Sequence, residues 1–179
     1  MNQPDTEVDL DQMHSAICTA IREALPILQT VEAYDEDRRD LPLPACLIEL
    51  VDLEPVPDDD PGTEQLAATS RWEARIILGL RDFETKRAAP KMAAAIALAV
   101  RNNRWGLRVG PAVPTAIEPD DFAPELDKFE VWRIDWEQRI HIGPSVWTDE
   151  GTIPTQVFSG FAPEVGAANP GDYGPVTDE

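Results

Sequence analysis

His14 and Cys18 stand four positions apart, so a helix would bring an imidazole and a thiol to one face, as a metal site requires. Two ligands do not make a site, and no C-x-x-C or H-x-x-x-H partner stands elsewhere, so both are expected in or beside a core. The other histidine, His141, extends a charged alternation, where a solvated or interface ring is the ordinary reading. Asp58, Asp59 and Asp60 in "PDDDPG" lack the alternating ligands, central Gly and late Glu of an EF-hand and read as an exposed turn. Asp120 and Asp121 would suit a carboxylate-pair hydrolase, but among 34 acidic residues such pairs arise by chance. Neither G-x-S-x-G, G-x-x-x-x-G-K-[ST] nor G-x-G-x-x-G occurs. These residues argue for no catalytic set, no cofactor and no metal.

The elements that would position them follow from hydrophobic period. Residues 8 to 25 space Leu10, Met13, Ile17, Ile21, Ala24 and Leu25 as one helical face, with "TEVD" as a capping signal and Pro26 closing the run. "ILQTVEAYDE" reads as a short strand entering the polar turn "DEDRRD", and "LPACLIELVDLEPV" as a strand ending in a Pro- and Asp-rich loop. "SRWEARIILGLRDF" alternates, with Trp72, Ala74, Ile76, Leu78 and Leu80 on one parity and Arg71, Glu73, Arg75 and Arg81 on the other. "FEVWRIDWEQRIHIG" does the same, setting Trp132, Ile134, Trp136, Ile140 and Ile142 against Arg133, Asp135, Glu137, Arg139 and His141. Between them, "ETKRAAPKMAAAIALAVRNN" predicts a second helix with Pro90 in its first turn, lying through its small residues on the tryptophan face. A short strand is expected over Val113 to Glu118, followed by an acidic loop.

The whole is an α+β domain, a mixed and mainly antiparallel sheet with two helices packed on it, over residues 1–143. Residues 144–179 form an acidic Pro/Gly-rich C-terminal arm that contains no Lys or Arg. The arm keeps Trp147, Val157, Phe158, Phe161 and Tyr173, more aromatic than a purely solvating tail, so it is expected either to order on another surface or to stay disordered.

The formal net charge of −19 makes the surface repel nucleic acid and anionic membrane. Formal charge is about −14 over residues 1–68, +6 over 69–109, −5 over 110–142 and −6 over 143–179, confining the basic surplus to one stretch. Such a strip would either meet the acidic surface of another copy head to tail or be balanced by cross-strand pairs inside the chain. Cys18 and Cys46 fall on apolar segments, so free buried thiols are expected instead of a disulfide. "MNQPDTEVDLDQ" has neither the basic start nor the apolar run of a signal peptide, and no run approaches a membrane span, so a cytoplasmic site of synthesis is expected.

The order "RWEARIILGL", "PKMAAAIALAV", "NNRWG", a Pro-rich stretch and "FEVWRIDWEQRIHIG" resembles the tail terminator, or tail-completion, proteins of tailed bacteriophages. The preceding helix and "CLIELVDLEPV" extend the resemblance over about residues 8 to 143, and the long acidic arm departs from it. The resemblance implies a virion protein of the tail or neck, assembled in the host cytoplasm as a homohexameric ring that caps the tail tube. Its implied partners are other copies of itself, the tail tube protein, the head-side connector and, where there is one, the sheath protein. The genome would pass through without specific binding, and no membrane is involved. On that reading Arg71, Arg75 and Arg81, with Arg133, Asp135, Glu137 and Arg139 opposite, are the subunit-interface candidates. A neck or baseplate adaptor of the same fold is the alternative, and a small carboxylate-using cytoplasmic enzyme the remote one.

Overall fold

The computed structural model describes residues 7–34, 41–59, 62–80, 82–120, 128–146 and 156–176. The chain divides into two compact units, Met1–Trp147 and Thr148–Glu179. The "DEDRRD" turn, Asp60, Arg81, Asp121 with the acidic loop behind it, and Trp147 lie outside the described residues.

The first unit runs α1 (Leu10–Ala24), β1 (Thr30–Ala33), β2 (Ala45–Pro55), β3 (Leu66–Leu80), α2 (Phe83–Val100), β4 (Val113–Pro119) and β5 (Phe129–Ile142). Its five strands form one mixed sheet in the order β1-β2-β3-β5-β4, with β1 parallel to β2 and every other pair antiparallel. This is the α+β architecture expected of the two alternating strands, which pair at the centre in a register that sets Trp72 opposite Trp136. Their rings stack with centroids 6.2 Å apart and planes 9° from parallel, and both are buried.

α1 starts where the Asp9 carboxylate accepts the amides of Asp11 and Gln12, and it buries Met13, Ile17, Cys18 and Ile21, while Ala24 faces solvent. α2 buries Ala89, Ala93, Ala97, Ile96 and Val100, and its alanines bring the helix close over β3 and β5. Its start differs from the sequence reading. A reciprocal cap between Asp82 and Thr85 begins the helix at Phe83, which leaves Pro90 in the interior instead of the first turn. The proline removes one helical N–H, at about 3 kcal/mol, and the buried residues Ala89 to Val100 hold the helix against that loss.

Two ladder irregularities redistribute side chains. At Val51 the register of β2 shifts by one, so Glu49 faces Glu73 while Asp52 faces Arg71. Without that extra residue a period of two from Glu49 would carry Val51 and Leu53 to Arg71 instead. A second shift between Ile77 and Leu80 leaves Leu80, expected in the core, exposed. The face opposite the helices also has a small apolar end, where Leu47, Ile77 and Val131 are covered by Tyr34, Leu41, Leu43 and Phe129.

The turn after α2 is pinned to β5 by Gln138, which occupies the apolar parity and is buried. Its amide donates to the carbonyls of Gly110 (2.6 Å) and Asn103 (3.2 Å), and its carbonyl accepts Trp105 Nε1 at 2.7 Å. Gly110 packs closely on β5, where a Cβ would stand 3.2 Å from the Arg139 carbonyl and would press the turn away from the strand.

In the second unit, β6 (Phe158–Ser159) pairs antiparallel with β7 (Gly174–Pro175). The Tyr173 hydroxyl accepts the Gly166 amide at 2.7 Å, and Gly160 lies under the Tyr173 ring. No helix of the described residues is long and apolar enough to cross a membrane.

Candidate interaction face

Both helices contribute to the one core around the tryptophans, so the odd parities of β3 and β5 make up the other face of the sheet. Arg75 is the most enclosed of its described arginines. Nη1 donates to Glu49 at 2.8 Å, Nη2 to Glu73 at 2.6 Å and Nε to Asp120 at 3.0 Å, while the guanidinium carbon lies 4.8 Å from the centre of the Tyr34 ring. Burial lowers the Arg75 pKa, but its bonds to Glu49 and Asp120 and the charge of Glu73 outweigh that and raise it overall. For Glu73 the balance is reversed: burial pushes its carboxyl above the usual range despite Arg75 and Arg133.

Arg133 donates to Glu118 at 2.6 Å, and its Nε lies 2.9 Å from Asp135 Oδ1. Neither of those last two atoms has an aligned hydrogen bond, so the contact is Coulombic. Burial raises the Asp135 carboxyl more than Arg133 lowers it. At the open end Arg71 reaches Asp52 (3.3 Å), Glu54 (2.6 Å) and Glu137 (3.0 Å), and Arg139 pairs with Asp59.

Among the described residues, four arginines of this face thus meet nine carboxylates. For Arg71 and Arg75 the cross-strand alternative therefore holds: both are neutralised within the chain, and the face is acidic in balance. The surplus of residues 69–109 resides instead on α2 and the following turn, where Lys86, Arg87, Lys91, Arg101 and Arg108 are exposed with no carboxylate partner among the described residues. Of the interface candidates, the sheet brings Arg71, Glu137, Arg75, Arg133, Asp135 and Arg139 onto one face, whereas Arg81 lies outside the described residues. Glu49, Asp52, Glu54 and Tyr34 were not singled out from sequence, and Asp120 was noted only for its neighbour.

The other chemistry-bearing residues have local explanations. His14 Nε2 lies 3.1 Å from the Ile48 carbonyl and Nδ1 3.7 Å from Cys18 Sγ, so the ring ties α1 to the sheet. Cys18 and Cys46 are free and buried, and burial raises both thiol pKa values, leaving neither activated as a thiolate. Asp58 and Asp59 lie in a single 3₁₀ turn. Among the described residues no three His, Cys, Asp or Glu side chains converge as a metal site. An open groove of about 460 Å³ along α1 is lined by Ser15, Ala16, Thr19, Ala20, Glu23 and Trp105, among other residues. The Thr19 hydroxyl in it is already committed to the Ser15 carbonyl. No family model matches the chain, and no curated protein matches it either.

Proposed function

We propose that the chain is a tail terminator of a tailed bacteriophage, a structural subunit whose ring caps the finished tail tube and offers the joining surface for the head. The observation that carries this reading is the ordered set β3, α2, the Asn102–Gly106 turn, β4 and β5. β3 and β5 lie side by side at the centre of the sheet under α2, the arrangement of the segments on which the resemblance rests. The sheet face away from the helices supplies an ordered charged surface, as a subunit whose work lies in its contacts requires.

The mechanism is steric. A ring that matches the tube on one side and presents a different surface on the other ends an open stack, because the next tube subunit finds no copy of its own docking surface. The acidic balance of the sheet face and of the chain suits a passage for DNA, since like charge prevents adhesion to the genome. Light scattering after size-exclusion chromatography, with electron microscopy of purified tail tubes, tests the reading. A hexameric ring, free or formed on one tube end, with elongation arrested there, is the expected result. A monomer indifferent to tubes sinks it.

A further inference from the structure

We propose that the acidic C-terminal unit of one copy docks on the basic outer stripe of α2 in a second copy. The inference rests on the ring reading above and names one of its contacts.

Among its described residues the C-terminal unit has a shape but no core. Over 156–176 it pairs β6 with β7 and seats Gly160 on Tyr173, yet not one of these residues is buried. Phe161 is 86% exposed, and Val157, Phe158, Val165 and Val176 are exposed with it. A two-stranded element of this size gains its stability from burying such side chains on something else. From residue 143 onward the chain has six carboxylic side chains and no Lys or Arg, so the surface that covers it must be basic as well as partly apolar.

The described residues of the first unit carry such a surface. At 100° per residue, Phe83, Arg87, Lys91, Ala94, Leu98 and Arg101 fall within about a quarter of the circumference of α2, and all six are exposed. Phe83 and Leu98 are 74% and 71% exposed, and the Arg87 guanidinium lies 5.6 Å from the centre of the Phe83 ring. A row that alternates aromatic, cationic and aliphatic groups complements an acidic unit that displays two phenylalanines.

Two full-length variants test this by light scattering: Arg87→Glu with Lys91→Glu on the stripe, and Phe158→Ala with Phe161→Ala on the arm. Every changed side chain is exposed, and an unaltered unfolding temperature checks that each variant folds. Each alone should lose assembly by on the order of tenfold or more in apparent dissociation constant. Mixed in equal amounts they should give a heterodimer and nothing larger, because one intact arm then meets one intact stripe. Adding Glu164→Lys and Asp172→Lys to the stripe variant should restore assembly. A mixture that stays monomeric overturns the proposal. Variants that assemble like the unaltered chain also overturn it, while leaving the ring reading intact. An unaltered chain that is monomeric and leaves tubes uncapped overturns both.

Discussion

Arg75 and Asp120 stand 45 residues apart in sequence and meet with Nε 3.0 Å from Oδ2, the carboxylate side chain sealed to 3% exposure. Arg71, on the same face of the same strand, also gathers three carboxylates, but its side chain is 45% exposed. Water screens the second cluster and hardly reaches the Arg75–Asp120 pair of the first.

Arg75→Met should therefore lower stability by roughly 3 kcal/mol, because it removes the positive charge shared by Glu49, Glu73 and Asp120. Arg71→Met should cost no more than about 1 kcal/mol. Urea unfolding of the two variants checks the contrast, and equal losses would refute it.

Glu73 gives a pH signature. Its folded pKa is raised above the ordinary 4.5, burial being the main cause, so the folded state binds the proton more tightly than the unfolded one. The resulting penalty is present above the folded pKa and relieved as pH falls through it toward 4.5. The stability of Glu73→Gln relative to the unaltered chain should thus be most favourable at neutral pH and decline on acidification through that window. Urea titrations at several pH values measure the difference; a gap independent of pH contradicts the assignment.

Gln138→Leu keeps the volume and removes three hydrogen bonds, depriving Trp105 Nε1 and the Gly110 carbonyl of this partner and leaving the Asn103 carbonyl with the Ala112 amide. A loss of about 3 kcal/mol is expected. Hydrogen exchange should quicken at the Gly110 and Ala112 amides, which bond to Arg139 and Asn103. Protection unchanged at both amides would show that Gln138 does not hold the turn.

Arg139 is the cleanest probe of the sheet face in assembly, being 69% exposed on its side chain and paired only with Asp59 among the described residues. Arg139→Glu should leave the unfolding midpoint nearly unchanged and weaken ring formation measured by light scattering. Undiminished rings would place the sheet face outside the subunit contact.

The long elements were legible because burial imposes a period: Met13, Ile17 and Ile21 on α1, and the tryptophan parities of β3 and β5, could occupy only one side each. The makeup of the charged face was less so. A single extra residue at Val51 inverts the phase of everything after it, so no alternation count could assign Asp52 and Glu54 to Arg71. Asp120 reaches Arg75 through tertiary folding, which adjacency to Asp121 does not foretell. Gln138 did leave a trace, as the one polar residue between Trp132 and Ile142 on the apolar parity of β5. Pro90 was misplaced because the strength of the Asp82 cap, which sets where α2 begins, shows only in its reciprocal bond with Thr85.

The central ladder joins Arg71 to Glu137 across 66 residues, whereas β2 and β3 are chain neighbours. During synthesis β3 can therefore zip onto β2 long before β5, the last strand of the sheet, has left the ribosome. Through that interval the far side of β3 is a naked edge, the kind of surface on which nascent chains stick to one another. The alternation of Arg71, Glu73 and Arg75 along it acts then as a gatekeeper. Charges that neutralise one another in the finished subunit have already served to keep its unfinished copies apart.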